Sequence, residues 1–328
     1  MSRSSAKTTA HGVRLALALA VSLTATGCDM ASVPATTPAP STIDTPPAEP
    51  DVLPLSENSL AARAYYRRIE TAALARGQLR TDGGGDDTPF DSADLVRNFE
   101  RIAFFDEFQR ENGRLVARPV ESSLHRWQGA VRLEVAFGTS VPAAQRAADR
   151  ATIAGYLSHL SDLTGLPIRM TGFAPNFTVL VLNEDERRNA GQRLLDIVPN
   201  MAPEALASAI EMSPDTYCTV FSFSPAQSST YIRALAVIRG ELPDLLRLSC
   251  IHEEIAQGLG LVNDSPKARP SIFNDNDEFA TLTRQDELML RILYDRRLQA
   301  GMSLSEAGPT VEEIAVELMG GDTIAALP

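Results

Sequence analysis

Positive charge is scarce in this chain. Lysine and arginine total 30 against 42 aspartates and glutamates, and no basic stripe opposes the formal charge of −12. Residues 1–27 hold Arg3, Lys7 and Arg14 and no acid, so without them the net charge falls from −12 to −15. A surface of that sign repels phosphate backbones, which excludes nucleic acid as an expected partner. Apolar runs long enough to cross a bilayer are also lacking; the early run LALALAVSL (15–23) is too short. The glycine-rich stretch TDGGGDD (81–87) does not join a strand to a helix, so it reads as a loop and not as a phosphate cradle. No internal repeat is evident. Cysteine is rare, with Cys28, Cys218 and Cys250 the only three.

What is present suits a folded, exported protein. Hydrophobic residues make up 44% and charged residues 22%, a balance that supports a sizeable core in a chain of 328 residues. Residues 1–27 read as a signal peptide: basic residues, a short apolar run, then small residues. The ending ATGC (25–28) resembles a bacterial lipobox, with Ala25 where such boxes usually carry leucine. Cys28 is then the lipidated first residue of the mature chain, exported and anchored to a membrane of the bacterial cell envelope. Residues 28–58 form a Pro-rich linker that builds no core and holds the domain off that membrane. In an oxidising compartment Cys218 and Cys250 are expected to form one disulfide.

The remainder, 59–328, reads as one α+β domain with an N-terminal helical layer over 59–125. SLAARAYYRRIETAALARGQLR (59–80) is an amphipathic helix with Ser59 as its cap, and SADLVRNFERIAFFDEF (92–108) is a second. VRLEVAF (131–137) alternates strictly, as a half-buried strand does. A helix over 143–164 follows, then strands over 166–172 and 177–183, a helical insertion near 203–212, and strands over 217–224 and 231–240. The helix from Pro243 to Gly258 comes last in this series. Strands in succession after one crossover predict a mixed sheet with helices packed on it.

That last helix carries the sequence CIHEEIAQGLGLVNDSP (250–266). Leu248, Ile251, Ile255 and Leu259 share a face expected to lie on the sheet, with Glu253 and Gln257 opposite. His252 has Ala256 four residues on, so it opens no metal-binding pair, and Cys250 and His252 do not face each other as a nucleophile and base would.

Counted back from LGL (259–261), the segment resembles the metzincin helix H-E-x-x-H-x-x-G-x-x-H. Gly260 falls on the motif glycine and Glu254 on the catalytic glutamate, while Glu253, Gln257 and Asn263 fall on the three histidine ligands. SIF (271–273) resembles the Met-turn, with Phe273 in place of methionine, and LTRQDELMLRILY (282–294) is similar to the helix that closes such domains. Thr283 and Asp286 there form a capping box on their own merits. With EEIAQGLGL and SIFND, these stretches resemble a bacterial set of exported zincin-like proteins, domain-of-unknown-function family 2927. The resemblance implies a zincin-like mixed sheet with packed helices over roughly 130–298.

Zinc prefers imidazole and thiolate, and an amide is a poor donor. Glu253, Gln257 and Asn263, or Asp264 if the turn shifts by one residue, are therefore expected to form a small polar cluster needing no cofactor. A non-catalytic module that binds an envelope protein or peptide follows. The alternative is a metal-dependent peptidase or hydrolase with Glu/Gln/Asn ligands for zinc or another divalent cation, in which Glu254 activates water. A third reading is a purely structural envelope protein whose cleft is filled by side chains, and the plainest account of Glu253, Glu254 and Gln257 is a polar, solvent-facing helix side.

Overall fold

Alternation of large apolar residues with others over 131–137 gives the first strand of the main sheet, and Val131, Leu133 and Val135 are buried there with Phe137 half-buried. The computed structural model describes residues 53–320 apart from 112, 113 and 275, all within one compact unit. The signal peptide, Cys28 and most of the linker lie outside the described residues.

Helix α1 (Glu57–Ala75) starts one turn earlier than the sequence suggests. Ser56 is its cap, accepting from Ser59 N, and Ser59 is buried inside the first turn. Helix α2 (Ser92–Ala103) buries Leu95, Phe99 and Ile102, as its spacing predicts. It stops five residues short of Phe108. The chain turns at Phe104 into an antiparallel hairpin, β1 (Phe105–Glu111) and β2 (Arg114–Glu121). The layer over 59–125 is thus helical only in its first half.

The main sheet uses β3 (Val131–Phe137), β4 (Ile168–Met170), β5 (Phe177–Leu182), β6 (Cys218–Phe223) and β7 (Arg233–Arg239). Its order is β4-β3-β5-β7-β6. The first four of these run parallel to their neighbours, and β6 pairs antiparallel with β7 at one edge. Mixed α+β architecture is therefore correct. Helix α3 (Ala143–Thr164) makes the crossover after β3 and ends at Gly165, whose φ of 70° suits a residue with no side chain. The insertion holds three helices where one was expected near 203–212: α4 (Glu184–Arg188), α5 (Gly191–Ile197) and α6 (Pro203–Glu211).

Two apolar layers sandwich the sheet. On one face Val131, Leu133, Phe177, Val179, Ala236 and Ile238 meet α3 and α7 (Asp244–Gln257). On the other, Leu180, Leu182, Leu235 and Val237 meet α5 and α6 through Leu194, Ala209 and Met212. Helix α8 (Arg284–Leu293) carries the Thr283–Asp286 capping box in full. A further helix, α9 (Leu304–Leu318), packs on α2 and α8. Because α3 and the Ile272–Asn274 turn also pack against it, α7 is buried on most sides, and Leu248 is only half-buried. Cys218 and Cys250 are bonded, with their Cα atoms 5.8 Å apart, tying the edge strand β6 to α7.

Candidate functional site

Helix α7 is fixed at both ends before it offers anything to solvent. At its start the Glu70 carboxylate of α1 accepts from Leu245 N and Leu246 N at 2.9 and 3.0 Å, which supplies the cap that Pro243 lacks. One turn on, Arg247 donates to both oxygens of Asp149 on α3 at 2.8 and 3.0 Å, and both residues are buried. At the far end Trp127 Nε1 donates to Gly258 O (2.9 Å) and the Tyr294 hydroxyl to Leu259 O (2.7 Å). Gly258 lies against Phe177 of β5, where an added Cβ would stand 2.5 Å from the ring. Gly260 has φ 128°, and a Cβ there would meet His125 O at 2.4 Å. Only glycine fits that close turn.

The turn decides which polar side chains meet. Gln257 Nε2 donates to Asp264 Oδ1 at 3.0 Å. Asn263 faces elsewhere: its Nδ2 donates to Arg101 O (2.9 Å) and its backbone N to Ile102 O (3.1 Å), at the end of α2. Asp264, not Asn263, therefore stands beside Gln257. Phe273 is fully buried in the short turn Ile272–Asn274, and its neighbour Ile272 reaches the site instead. His252 stacks on Tyr156 with ring centroids 4.0 Å apart, and its Nδ1 accepts from Leu282 N at 3.4 Å. Burial, with His159 nearby, lowers its pKa to about 4, so it is a neutral core-edge residue at pH 7.

Glu253, Glu254, Gln257 and Asp264 line one wall of a cleft of about 650 Å³. The opposite wall is strand β6 itself, and the cleft follows that strand from α7 round to Ala205 and Ser208 of α6. Glu254 is buried and Glu253 half-buried. Asp106 of β1, Asp215 before β6 and Asp277 beyond the Ile272 turn join them, and no local pattern marks these three. These three come from segments far apart in the chain, and only the topology gathers them.

Donor chemistry bears on the zinc that the metzincin resemblance implies. The Gln257 amide is turned to Asp264, Asn263 is held by α2, and no histidine is among the described residues that line the cleft. Among the described residues no group of three or more His, Cys, Asp or Glu is placed to hold a metal ion. These residues do not fit a zinc centre of the kind built from three strong protein donors.

The outer edge of β6 is the remaining feature. Arg239 N donates to Tyr217 O, which sets the phase of the ladder. Residues 219 and 221 then face β7, and Cys218, Val220 and Ser222 direct their backbone N–H and C=O groups away from it. Among the described residues no strand pairs with that edge.

A family model described as "Protein of unknown function (DUF2927)" matches residues 92–313, more than half of the chain. Neither a curated protein nor a solved structure matches it.

Proposed function

This chain belongs to the DUF2927 family, and from that premise we propose that it is an envelope lipoprotein whose cleft binds an extended peptide segment as an added strand. The observation that carries the reading is the outer edge of β6. Exposed strand edges invite foreign strands, and folded proteins commonly guard them with charge, proline or brevity. The opposite edge strand β4 is guarded in this way, being three residues long with Arg169 at its centre. β6, CTVFSF, has six residues with neither a charge nor a proline, and it lies along a cleft. An unguarded edge in a recess suits strand addition, where backbone hydrogen bonds supply affinity and flanking pockets supply selectivity.

The strand–helix–strands–helix order ahead of Gly260 supports a zincin-like scaffold for this domain. The donor set at Gln257 and Asp264 favours a binding module over a metal-dependent hydrolase. Lipid on Cys28, followed by the Pro-rich stretch, would hold the module at a membrane surface.

Val220→Pro tests the cleft. It removes an outward N–H and leaves the bonds to β7 in place, so the fold should persist. Binding of a fluorescent peptide of alternating threonine and valine, about ten residues long, should weaken about tenfold or more. Equal binding by the variant, at unchanged circular dichroism, would remove strand addition from consideration. The anchor has its own test: Cys28→Ser should release the chain from membranes or stall its processing. Fractionation of the variant with membranes as before would sink that part.

A further inference from the structure

The chain shows no long basic stripe in sequence, but folding gathers a short one on the outer face of α1. Residues 57–76 hold Arg63, Arg67, Arg68 and Arg76 against Glu57 and Glu70, a surplus of two positive charges. The rest of the chain after residue 27 then stands at −17, against −15 with them. Resting on the lipid anchor at Cys28, we infer that this face of α1 docks on the membrane surface, with its arginines on the headgroups of anionic phospholipids.

Leu60, Ala64, Arg67, Thr71 and Leu74 follow one another at steps of four and three, so they form one ridge of the helix, and all of them are exposed. Leu60 is 52% and Leu74 48% exposed. They stand about 21 Å apart along the axis, with Arg67 midway between them. Arg68 flanks the ridge, its guanidinium 5.9 Å from the ring centroid of Tyr65. Arg76, also exposed, closes the helix and donates from Nε to Gln78 Oε1. Among the described residues no carboxylate forms an ion pair with Arg67, Arg68 or Arg76. A helix face lying in a bilayer interface sinks its leucines below the headgroups and keeps its arginines level with them. Each such arginine beside an anionic surface strengthens binding about fivefold.

Where the chain comes from decides what covers the ridge. Among the described residues α1 is the first helix after the tether, and residues 28–52 span at most about 90 Å even when fully extended. An anchor at Cys28 therefore keeps α1 within reach of the bilayer, where a contact too weak to hold alone becomes effective. The acidic remainder of the chain is repelled by the same surface, which fixes the side that approaches. The inner side of α1 passes that orientation to the cleft. Glu70 caps α7, the Tyr66 hydroxyl donates to Pro214 O at 3.0 Å, and the Tyr66 ring meets that of Tyr217 in the cleft wall. Docking thus turns the Tyr217 end of the cleft toward the membrane.

The mature chain with Cys28→Ser carries no lipid and so separates this inference from the anchor. At an ionic strength of about 0.01 M it should bind vesicles of phosphatidylcholine with about 30% phosphatidylglycerol at least about tenfold tighter than phosphatidylcholine alone, read by co-sedimentation. Raising the ionic strength to about 0.5 M should abolish the difference. Adding Arg67→Gln and Arg68→Gln should weaken binding at least about tenfold, and Leu60→Ser with Leu74→Ser should also weaken it, each at unchanged circular dichroism. Equal binding to both vesicles, or to neither, overturns the docking and leaves the anchor standing. So does a dimer of the chain that the two leucine changes abolish, because a second copy would then cover the ridge. Persistence of Cys28→Ser on cell membranes through a wash at about 0.5 M salt would instead sink the anchor, and the docking inference with its premise.

Discussion

Asp286→Ala is expected to destabilise the fold by about 3–5 kcal/mol, because it strips four hydrogen bonds from a site closed to water. Asp286 is fully buried at the start of α8. Its Oδ1 accepts from Ser271 Oγ at 2.5 Å, and its Oδ2 accepts from Ile272 N (3.0 Å), Thr283 N (2.8 Å) and Thr283 Oγ1 (2.9 Å). One carboxylate thus caps a helix and holds the Ser271–Phe273 turn against it. Alanine leaves three buried donors without an acceptor, since Thr283 Oγ1 keeps Pro270 O at 2.9 Å, and urea unfolding should show the loss at unchanged slope. Loss below about 1 kcal/mol would mean that water replaces the carboxylate there.

The same group gives a pH signature with an unusual sign. Burial raises its pKa from 3.8 to about 6, although the four donors pull it down. The folded chain therefore holds a proton that the unfolded chain has released between those values. Its contribution is fully present below the unfolded value of 3.8 and is lost as pH rises through about 6. Relative to Asp286→Asn, wild type should gain stability between pH 7 and pH 5. Loss of wild-type stability relative to Asp286→Asn on going from pH 7 to pH 5 would contradict this.

Replacing both Cys218 and Cys250 by serine should cost about 3–4 kcal/mol, the entropy of freeing a loop whose ends are 32 residues apart. The effect should appear as a lower melting temperature of the double variant and, in wild type, on adding reductant. Thiol titration of the unfolded, unreduced chain should leave both cysteines silent. Two reactive thiols at those positions would defeat the prediction. The expected proximity held because a sheet strand and the helix packed on it approach within disulfide range. Cys250 is buried although it lies outside the apolar stripe of Leu248, Ile251, Ile255 and Leu259, since α7 is enclosed nearly all round.

Local patterns carried most of the fold into view. VRLEVAF has one reading as a strand, and α3 begins and ends where its small and apolar residues do. The Thr283–Asp286 box was visible because its chemistry is confined to four residues. The hairpin after α2 was hidden because Phe104 and Phe105 continue the apolar spacing of the helix, and only tertiary packing breaks it there. Asn263 and Asp264 are adjacent, and which of them meets Gln257 depends on the conformation of Gly260 and on the bonds Asn263 makes to α2. That β6 lies at an edge is a property of strand order, and it follows from pairings between residues far apart in sequence.

The bond between Cys218 and Cys250 has a mechanical consequence. It closes a covalent ring over residues 218–250, which includes all of β6 and β7 and the first half of α7. Tension applied between the two ends of the chain passes through the sulfurs and bypasses the ring. About 110 Å of extended backbone is thereby withheld from any forced unravelling. A pull on the two ends of the chain would strip helices and strands outside the ring while the β6 wall stayed stitched to α7, so the cleft keeps its two main sides even when the rest of the domain is drawn out.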